Sequence, residues 1–439
     1  MFSKIITALI LLGSFPFVFA KEADSNDTLR VYQVPSITVT TTKAIFGESP
    51  LPFAEISNSE IKNSYSVQDL PNLMSSLPSM LFYSQNGNSV GYSILTMRGF
   101  DQRRIAVLIN GIPQNDPEDH QVYWINFPDI ASNIESIQVQ RGAGLVNYGA
   151  ASIGGSINLS TSNFINKRGI KIYSGLGTQE YNSSEKAVFQ TTMNKFSIEL
   201  SSGLVDNYAL YARLSQISSL GYRDRAWAEL NSYFLSAVRL DKNFSTQINI
   251  FGGPISDGLA YTGLPKSYIT DKALRRKNPS SWMYDTSGKN LLYFTERRKE
   301  EKEEFSQPHY EILNDLIINE DLSIKSALYY YSGKGFYDYD GSWADSSSLR
   351  LTSDFGFITK YNPRNAIIRA CVSNHQLGWI PRLIYKHSFG ELTTGIEIRF
   401  HRSEHCGNIN YSEYLPENFY PDYKFYSNEG SRDIFSFFA

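Results

Sequence analysis

The stretch from Met97 to Thr161 limits what this chain can fold into more than any other. It opens with Met97-Arg98-Gly99-Phe100 and runs on through Arg104 to Pro113, which reads RIAVLINGIP. It closes with IESIQVQRG at 134–142 and YGAASIGGSINLST at 148–161. Asn110-Gly111 lies between apolar runs, and a two-residue type I′ turn needs φ > 0 at both central positions, which this pair supplies. Ile134 to Gln140 and Ser156 to Ser160 place β-branched residues at alternate positions, the period of a strand. Glycines at 142, 144, 149, 154 and 155 permit turns where a Cβ would clash. The stretch therefore predicts short β-strands joined by glycine turns.

Glycine-rich strands have nucleotide-binding rivals, and the residues argue against both. A dinucleotide fingerprint beginning at Gly142 needs its third glycine at 147, where Asn147 stands, and no acidic residue follows at the expected distance. A phosphate loop ends in Gly-Lys-Ser/Thr, and no such triplet is present here. The ordered motifs instead resemble the plug domain of TonB-dependent outer-membrane receptors: RGF at 98–100, VLINGIP at 107–113, IESIQVQRG at 134–142 and YGAASIGGSINLST at 148–161. The variant NDPEDHQVYWINF at 115–127 looks most like receptors of the Bacteroidetes-like type. The resemblance implies a mainly β protein, with an α+β plug domain inside a transmembrane antiparallel β-barrel. It also divides the chain into a signal peptide at 1–20, a flexible lead at 21–43, a plug at 44–165 and a partial barrel at 166–439.

The residues ahead of the plug support an exported protein. Lys4, the apolar run Ile5 to Val18 and the Val18-Phe19-Ala20 end have the layout of a secretory signal. A membrane anchor is the alternative, but the run is short for a span. No later run of eighteen apolar residues occurs, so the mature chain crosses no membrane as a helix. A net charge of −3 offers no electrostatic case for nucleic acid. The 29 tyrosines behind an export signal suit the aromatic girdles of an outer-membrane barrel. Cys371 and Cys406, bound for an oxidising compartment, form one disulfide or stay as two thiols; spacing alone does not decide between these.

Within the lead, Ile37-Thr38-Val39-Thr40 occupies the place of the family's TonB box. An exposed β-prone segment can add as a strand to the sheet edge of a partner, here TonB with its inner-membrane motor complex. The alternative is that it starts the first plug strand. No further folded domain is expected between signal and plug. Ser66 to Leu77 predicts a helix, with Leu70, Leu73, Met74 and Leu77 on one buried face and Ser66 or Asp69 as its cap. The resemblance places the loops after Tyr83 and Asn115 at the plug apex. There Gln85, Asn86, Asn115, His120, Tyr123 and Trp124 offer the mix of aromatic faces and polar groups that a ligand platform needs, though ordinary surface loop is the competing reading of each. The resemblance also suggests that Arg98 and Arg141 anchor the plug to acids on the barrel wall, or else only brace plug turns.

From Gly169 onward the pattern lengthens into alternating strands, such as Phe196-Ile198-Leu200-Ser202-Leu204, Leu322 to Tyr330 and Leu392 to Phe400. About ten such candidates precede Ala439, with lipid expected outside and water inside. Long polar stretches separate some of them. Gly252 to Phe305 carries Arg275-Arg-Lys277 and the charge run 296–304, expected to be a solvated face toward lipopolysaccharide and outer-membrane lipid. Tyr261, Trp282, Tyr337 and Tyr339 are candidates to close over a ligand. His401, His405 and Cys406 would suit zinc on a helix, but they follow a strand, so no metal is assigned. No cofactor is implied. No G-x-S-x-G elbow or H-E-x-x-H helix is present, so no enzyme is expected.

A size argument bears on the barrel. A plug of about 120 residues has a diameter of roughly 35 Å. Ten tilted strands, each taking about 7 Å of circumference, enclose only about 22 Å, whereas the family's twenty-two enclose about 48 Å. The sequence therefore reads as the N-terminal part of a receptor, a gene-model fragment or a genuine truncation. The function implied by the resemblance is active uptake of a large scarce ligand across the outer membrane of a Gram-negative-type bacterium. A ferric siderophore comes first, with cobalamin or another ligand on the same machinery, or a non-transporting remnant, as alternatives. A secreted β-hydrolase or adhesin would not need the plug motifs. The chain refolded alone is expected to lack the heat-modifiable gel mobility of a closed barrel; a band that shifts on boiling would contradict the size argument.

Overall fold

The computed structural model describes residues 52–142, 153–162, 164–183 and 186–439. The signal segment and Ile37–Thr40 lie outside the described residues, as do Gly144 and Gly149.

The plug is built around β-branched runs buried on both faces. Strands β1 (Phe53–Ser57), β5 (Ile105–Ile109), β6 (Ile112–Pro113), β7 (Ile134–Arg141) and β8 (Gly155–Thr161) form one sheet in the order β1-β7-β8-β5-β6. Only β5 and β8 run parallel, and every residue of both is buried, as expected where a strand is covered above and below. A second sheet holds β2 (Met80–Ser84), β3 (Ser93–Met97) and β4 (Phe100–Asp101). Asn110 (φ 53°) and Gly111 (φ 77°) make the expected left-handed turn, which pairs Ile109 with Ile112.

Two short helices complete the plug. Helix α1 (Asn58–Ser64), absent from the sequence expectation, is closed by a capping box in which Ser57 and Glu60 satisfy each other's backbone N–H. Helix α2 (Leu70–Met74) is shorter than the expected 66–77. Asp69 stands at its N-cap with Pro71 just inside, and Pro78 disfavours helical backbone at Leu77. Its stripe is core as expected: Leu70, Leu73 and Met74 are buried and Leu77 packs against them.

The wall consists of β9 (Arg168–Ser183), β10 (Lys186–Val205), β11 (Tyr208–Ser219), β12 (Ala228–Leu240), β13 (Phe244–Gly252) and β14 (Pro254–Asp257). A separate hairpin of β15 (Pro279–Tyr284) and β16 (Leu291–Glu296) follows. The wall resumes with β17 (Glu303–Ser306), β18 (His309–Ile317), β19 (Leu322–Asp340), β20 (Arg364–His387), β21 (Gly390–Glu413) and β22 (Lys424–Phe438). These twelve wall strands form one antiparallel sheet. Because β13 continues into β14 and β17 into β18, they make ten staves. The break at Gly253 is a close approach, since an added Cβ there would strike the Asn231 carbonyl. Short links at 206–207, 241–243, 318–321 and 388–389 alternate with longer ones at 220–227, 258–302, 341–363 and 414–423. Among the described residues β9 and β22 end the sheet without pairing to each other.

Alternation along the staves separates two chemistries. Phe196, Leu200, Leu210, Leu214, Leu392 and Phe400 are exposed on the outer face, while Lys195, Ser197, Arg213, Glu397, Arg399 and His401 are buried facing the plug. An apolar belt outside a polar lining is what a lipid-embedded sheet requires. Among the described residues no helix is long and apolar enough to cross a membrane.

Asn110 ties this arrangement together. Its Oδ1 accepts from the Thr161 backbone N–H (3.0 Å), and its Nδ2 donates to Glu311 of the wall (2.9 Å). Asn110→Ala would remove the acceptor of the Thr161 N–H and leave Glu311 with Asn249 as its donor, and is expected to destabilise the fold by about 1–3 kcal/mol, read from the urea midpoint. An unmoved midpoint would show the turn is held by other contacts.

Candidate functional site

Burial of a plug inside a polar lining requires each buried charge to find a partner. Among the described residues the strongest such junction is Asp129, which sits in a left-handed turn (φ 54°) of the plug. Its Oδ1 accepts from Lys195 Nζ (2.6 Å), Tyr65 OH (2.7 Å) and Ser132 Oγ (2.6 Å), and its Oδ2 pairs with Arg213. Arg213 also donates to plug Asn133 (2.6 Å) and wall Ser232 (3.1 Å). The three charged side chains are 0%, 5% and 1% exposed for Asp129, Lys195 and Arg213. Burial alone would raise the Asp129 carboxyl, but Arg213 and Lys195 outweigh it and hold it down at about 2.

Further contacts fasten the plug elsewhere on the wall. Tyr92 donates to Glu303, Arg382 to the Gly111 carbonyl (3.1 Å), and Arg432 to the Pro117 carbonyl. On the wall, Ser403 and His405 (2.7 Å) both bond Glu118; these bonds overcome the burial that would raise this carboxyl, leaving it below its ordinary value. Arg98 is exposed and Arg141 half-buried. Among the described residues the plug–wall ion pairs run through plug acids to wall bases, the reverse of the polarity expected for Arg98 and Arg141.

A cavity of about 510 Å³ lies between the plug loops and the wall. Plug residues Gln85, Tyr92, Asp119, Tyr123 and Trp124 line one side, and Tyr261, Phe305, Gln307, Phe336, Tyr337 and Asn374 the other. Tyr123 is 41% exposed, and its hydroxyl donates to Asp119 (2.7 Å), leaving the ring face open. Tyr261 lies under the Arg297 guanidinium, 4.9 Å from its ring centre. The cavity combines aromatic faces with a few fixed polar groups, the composition of a ligand site. A hollow of similar size, about 530 Å³, opens among Ile170, Leu200, Leu210 and Leu235 of the outer belt and belongs to the apolar boundary.

The structure thus brings Gln85, Tyr123, Trp124, Tyr261 and Tyr337 of the expected residues to one cavity. The others are placed differently. Asn86 is fully buried, donating to the Ala226 carbonyl (2.9 Å) and accepting from Tyr92 N–H. Asn115 is spent on the Val107 N–H and the carbonyls of Ile105 and His120. His120 faces Arg432 at 3.4 Å. Trp282 donates to the Gly263 carbonyl in the β15–β16 region, and Tyr339 packs against a separate cluster that includes Phe425. The charge run 296–304 is a solvated face only in part: Glu296, Lys299, Glu300 and Glu304 are exposed. Arg297 and Glu301 are buried as a 2.9 Å ion pair, because the 258–302 segment folds over the wall and encloses them. Cys371 and Cys406 stand opposite each other in register, both as free thiols.

Sequence reasoning missed Asp129, Lys195, Arg213 and Glu118. A signal existed for two of them. Once Phe196 and Leu200 are assigned outward, Lys195 must face inward, and Arg213 likewise opposes Leu210 and Leu214.

A plug sheet seated inside an open run of antiparallel staves is the architecture of a TonB-dependent receptor, and comparison with known proteins agrees. Residues 47–156 match the family described as TonB-dependent Receptor Plug Domain. The structure is similar to the ferric citrate transporter FecA in its unliganded form (TM-score 0.63, 14% identity, 89% of this chain and 53% of that one). It is also similar to the siderophore receptor PiuA from Acinetobacter baumannii (TM-score 0.55, 14% identity, 90% of this chain and 54% of that one). Lactoferrin-binding protein A of Neisseria meningitidis serogroup A is 27% identical over 174 residues, which are 36% of this chain and 18% of that protein. The chain carries a TonB-dependent receptor plug on the receptor fold, and it spans about half the length of the solved structures it matches.

Removing the Asp129 charge tests the junction. Asp129→Asn leaves Lys195 and Arg213 without a counter-charge and is expected to cost about 3–5 kcal/mol, seen as earlier proteolytic release of the plug. The wild-type carboxyl ionises more easily folded (about 2) than at its ordinary 3.8, so its contribution is present above pH 4 and lost as pH falls toward 2. The stability gap between wild type and Asp129→Asn should therefore narrow by about 2–3 kcal/mol over that window. A gap independent of pH would rule out the ion-pair account.

Proposed function

We propose that this chain is the plug-bearing part of an outer-membrane receptor that takes up a large, scarce ligand, a ferric siderophore before any other. The observation that carries the reading is the 510 Å³ cavity between plug and wall, lined by aromatic rings from both. A wide channel left open would leak, and a plug held by buried ion pairs blocks it while presenting its loops to the ligand. That FecA is a ferric citrate transporter and PiuA a siderophore receptor supports an iron chelate as cargo. Cobalamin or another ligand of the same machinery would use the same cavity.

No chemistry is required of the protein. The ligand docks against Tyr123, Tyr261 and Tyr337, whose faces suit a flat or aromatic chelate. Release requires plug and wall contacts to loosen, and the force for that would come from TonB drawing on Ile37–Thr40 as an added strand. The apolar outer belt fits residence in the outer-membrane bilayer.

Two measurements test the reading. In a full-length form, deletion of Ile37–Thr40 should abolish uptake and leave ligand binding unchanged; uptake that persists removes the energy-coupling assignment. Tyr123→Ala combined with Tyr337→Ala should weaken binding of the growth-supporting ferric siderophore on the order of tenfold or more. Growth under iron starvation rescued by no siderophore, with rescue by cobalamin in a cobalamin-limited strain, would select the other cargo.

A further inference from the structure

We propose that Asp116, Glu118 and His401 form a binding site for a divalent transition-metal ion of the zinc class, which bridges the plug to the wall. This goes beyond the uptake reading and holds whatever cargo the cavity takes. Asp116 and Glu118 lie on the plug loop after β6, and His401 projects inward from β21. One donor atom from each falls within 4.8 Å of the others.

The imidazole points to a missing ligand. His401 is fully buried, yet neither Nδ1 nor Nε2 has a hydrogen-bond partner. Buried polar groups are nearly always paired, so two idle nitrogens on one ring need an explanation. Nε2 lies 3.8 Å from Glu118 Oε1, too far for a hydrogen bond. An ion about 2.1 Å from each donor of a tetrahedral site holds neighbouring donors roughly 3.4 Å apart. The His401–Glu118 gap is therefore close to what an ion requires. The other separations, none above 4.8 Å, require the Asp116 and Glu118 side chains to draw in by about an ångström.

Surrounding contacts orient the donors. His405 bonds Glu118 Oε2 (2.7 Å) and Ser403 bonds Oε1, so the carboxylate is held from behind. The Glu118 N–H occupies Asp116 Oδ1 (2.7 Å), which leaves Oδ2 for the ion. Two carboxylates match a dipositive charge, and the imidazole favours zinc, nickel or cobalt over calcium and magnesium. Asp116 and Glu118 also line the cavity, which supplies an entry path and room for a water ligand.

Titration calorimetry of the refolded full chain in detergent, with ZnCl₂ as probe, tests the site. Expected are one saturable Zn²⁺ per chain, a visible d–d band with Co²⁺ in its place, and no heat with Mg²⁺ or Ca²⁺. His401→Ala should abolish this binding, Glu118→Gln should weaken it a hundredfold or more, and His405→Asn about tenfold. Should His401→Ala fail to fold, the partly exposed Glu118→Gln decides. Absence of saturable Zn²⁺ binding, or an affinity unmoved by Glu118→Gln, overturns the proposal. Loss of Zn²⁺ binding without loss of siderophore uptake would leave the transport reading intact.

Discussion

Neutralisation of plug acids by wall bases is the constraint on which the assembly depends. Asp129 is shared by Lys195 of β10 and Arg213 of β11, and all three are out of water. A carboxylate or a guanidinium buried alone costs several kcal/mol, so neither the plug nor the wall is complete without the other. The polar lining that would otherwise face a water-filled lumen is here the plug's binding surface. The apolar belt on the opposite face is dictated by the same two-residue period.

The plug is fastened unevenly. At the β10–β11 side the contact is a fully buried charge cluster backed by Asn133, Tyr211 and Ser232. Toward β21 and β22 the contacts run through Glu118, His405 and Arg432, which reach solvent, and Glu118 and His405 border the cavity. Dry ion pairs resist separation more than wet ones, because removing one partner leaves a desolvated charge. The plug is thus anchored firmly at the β10–β11 side and held more loosely where it meets β21 and β22. Movement of the 115–124 loop would alter the cavity without first breaking the Asp129 junction.

The wet side holds both the cavity and the proposed metal site. Glu118, Asp119 and His405 at the cavity keep access to solvent, so they can exchange partners. His401 is the exception, buried without a partner beside two carboxylates. A bridging ion there would stiffen the loosely held side and couple the plug loop to β21.

Much of the fold was legible in the residues themselves. The Asn110-Gly111 turn, the β-branched plug strands, the alternating wall staves and the apolar stripe of α2 follow from local backbone preference and side-chain period, which are properties of neighbouring residues. What escaped was any feature made by distant ones. Helix α1 was missed although Ser57 and Glu60 spell a capping box, and α2 was drawn too long because its apolar spacing continues past Pro78's influence. Four aromatic residues, Tyr123, Trp124, Tyr261 and Tyr337, lie with Gln85 at the cavity, but Asn86 and Asn115 proved to be braces, since an amide's role depends on which backbone groups it meets. Sequence by itself settled the period, the turns and hence which face of each stave turns outward. Only the tertiary structure decided which charged groups meet, because Asp129 with Arg213 and Glu118 with His405 are joined across long stretches of chain by the curvature of the sheet around its plug, and no local rule encodes that.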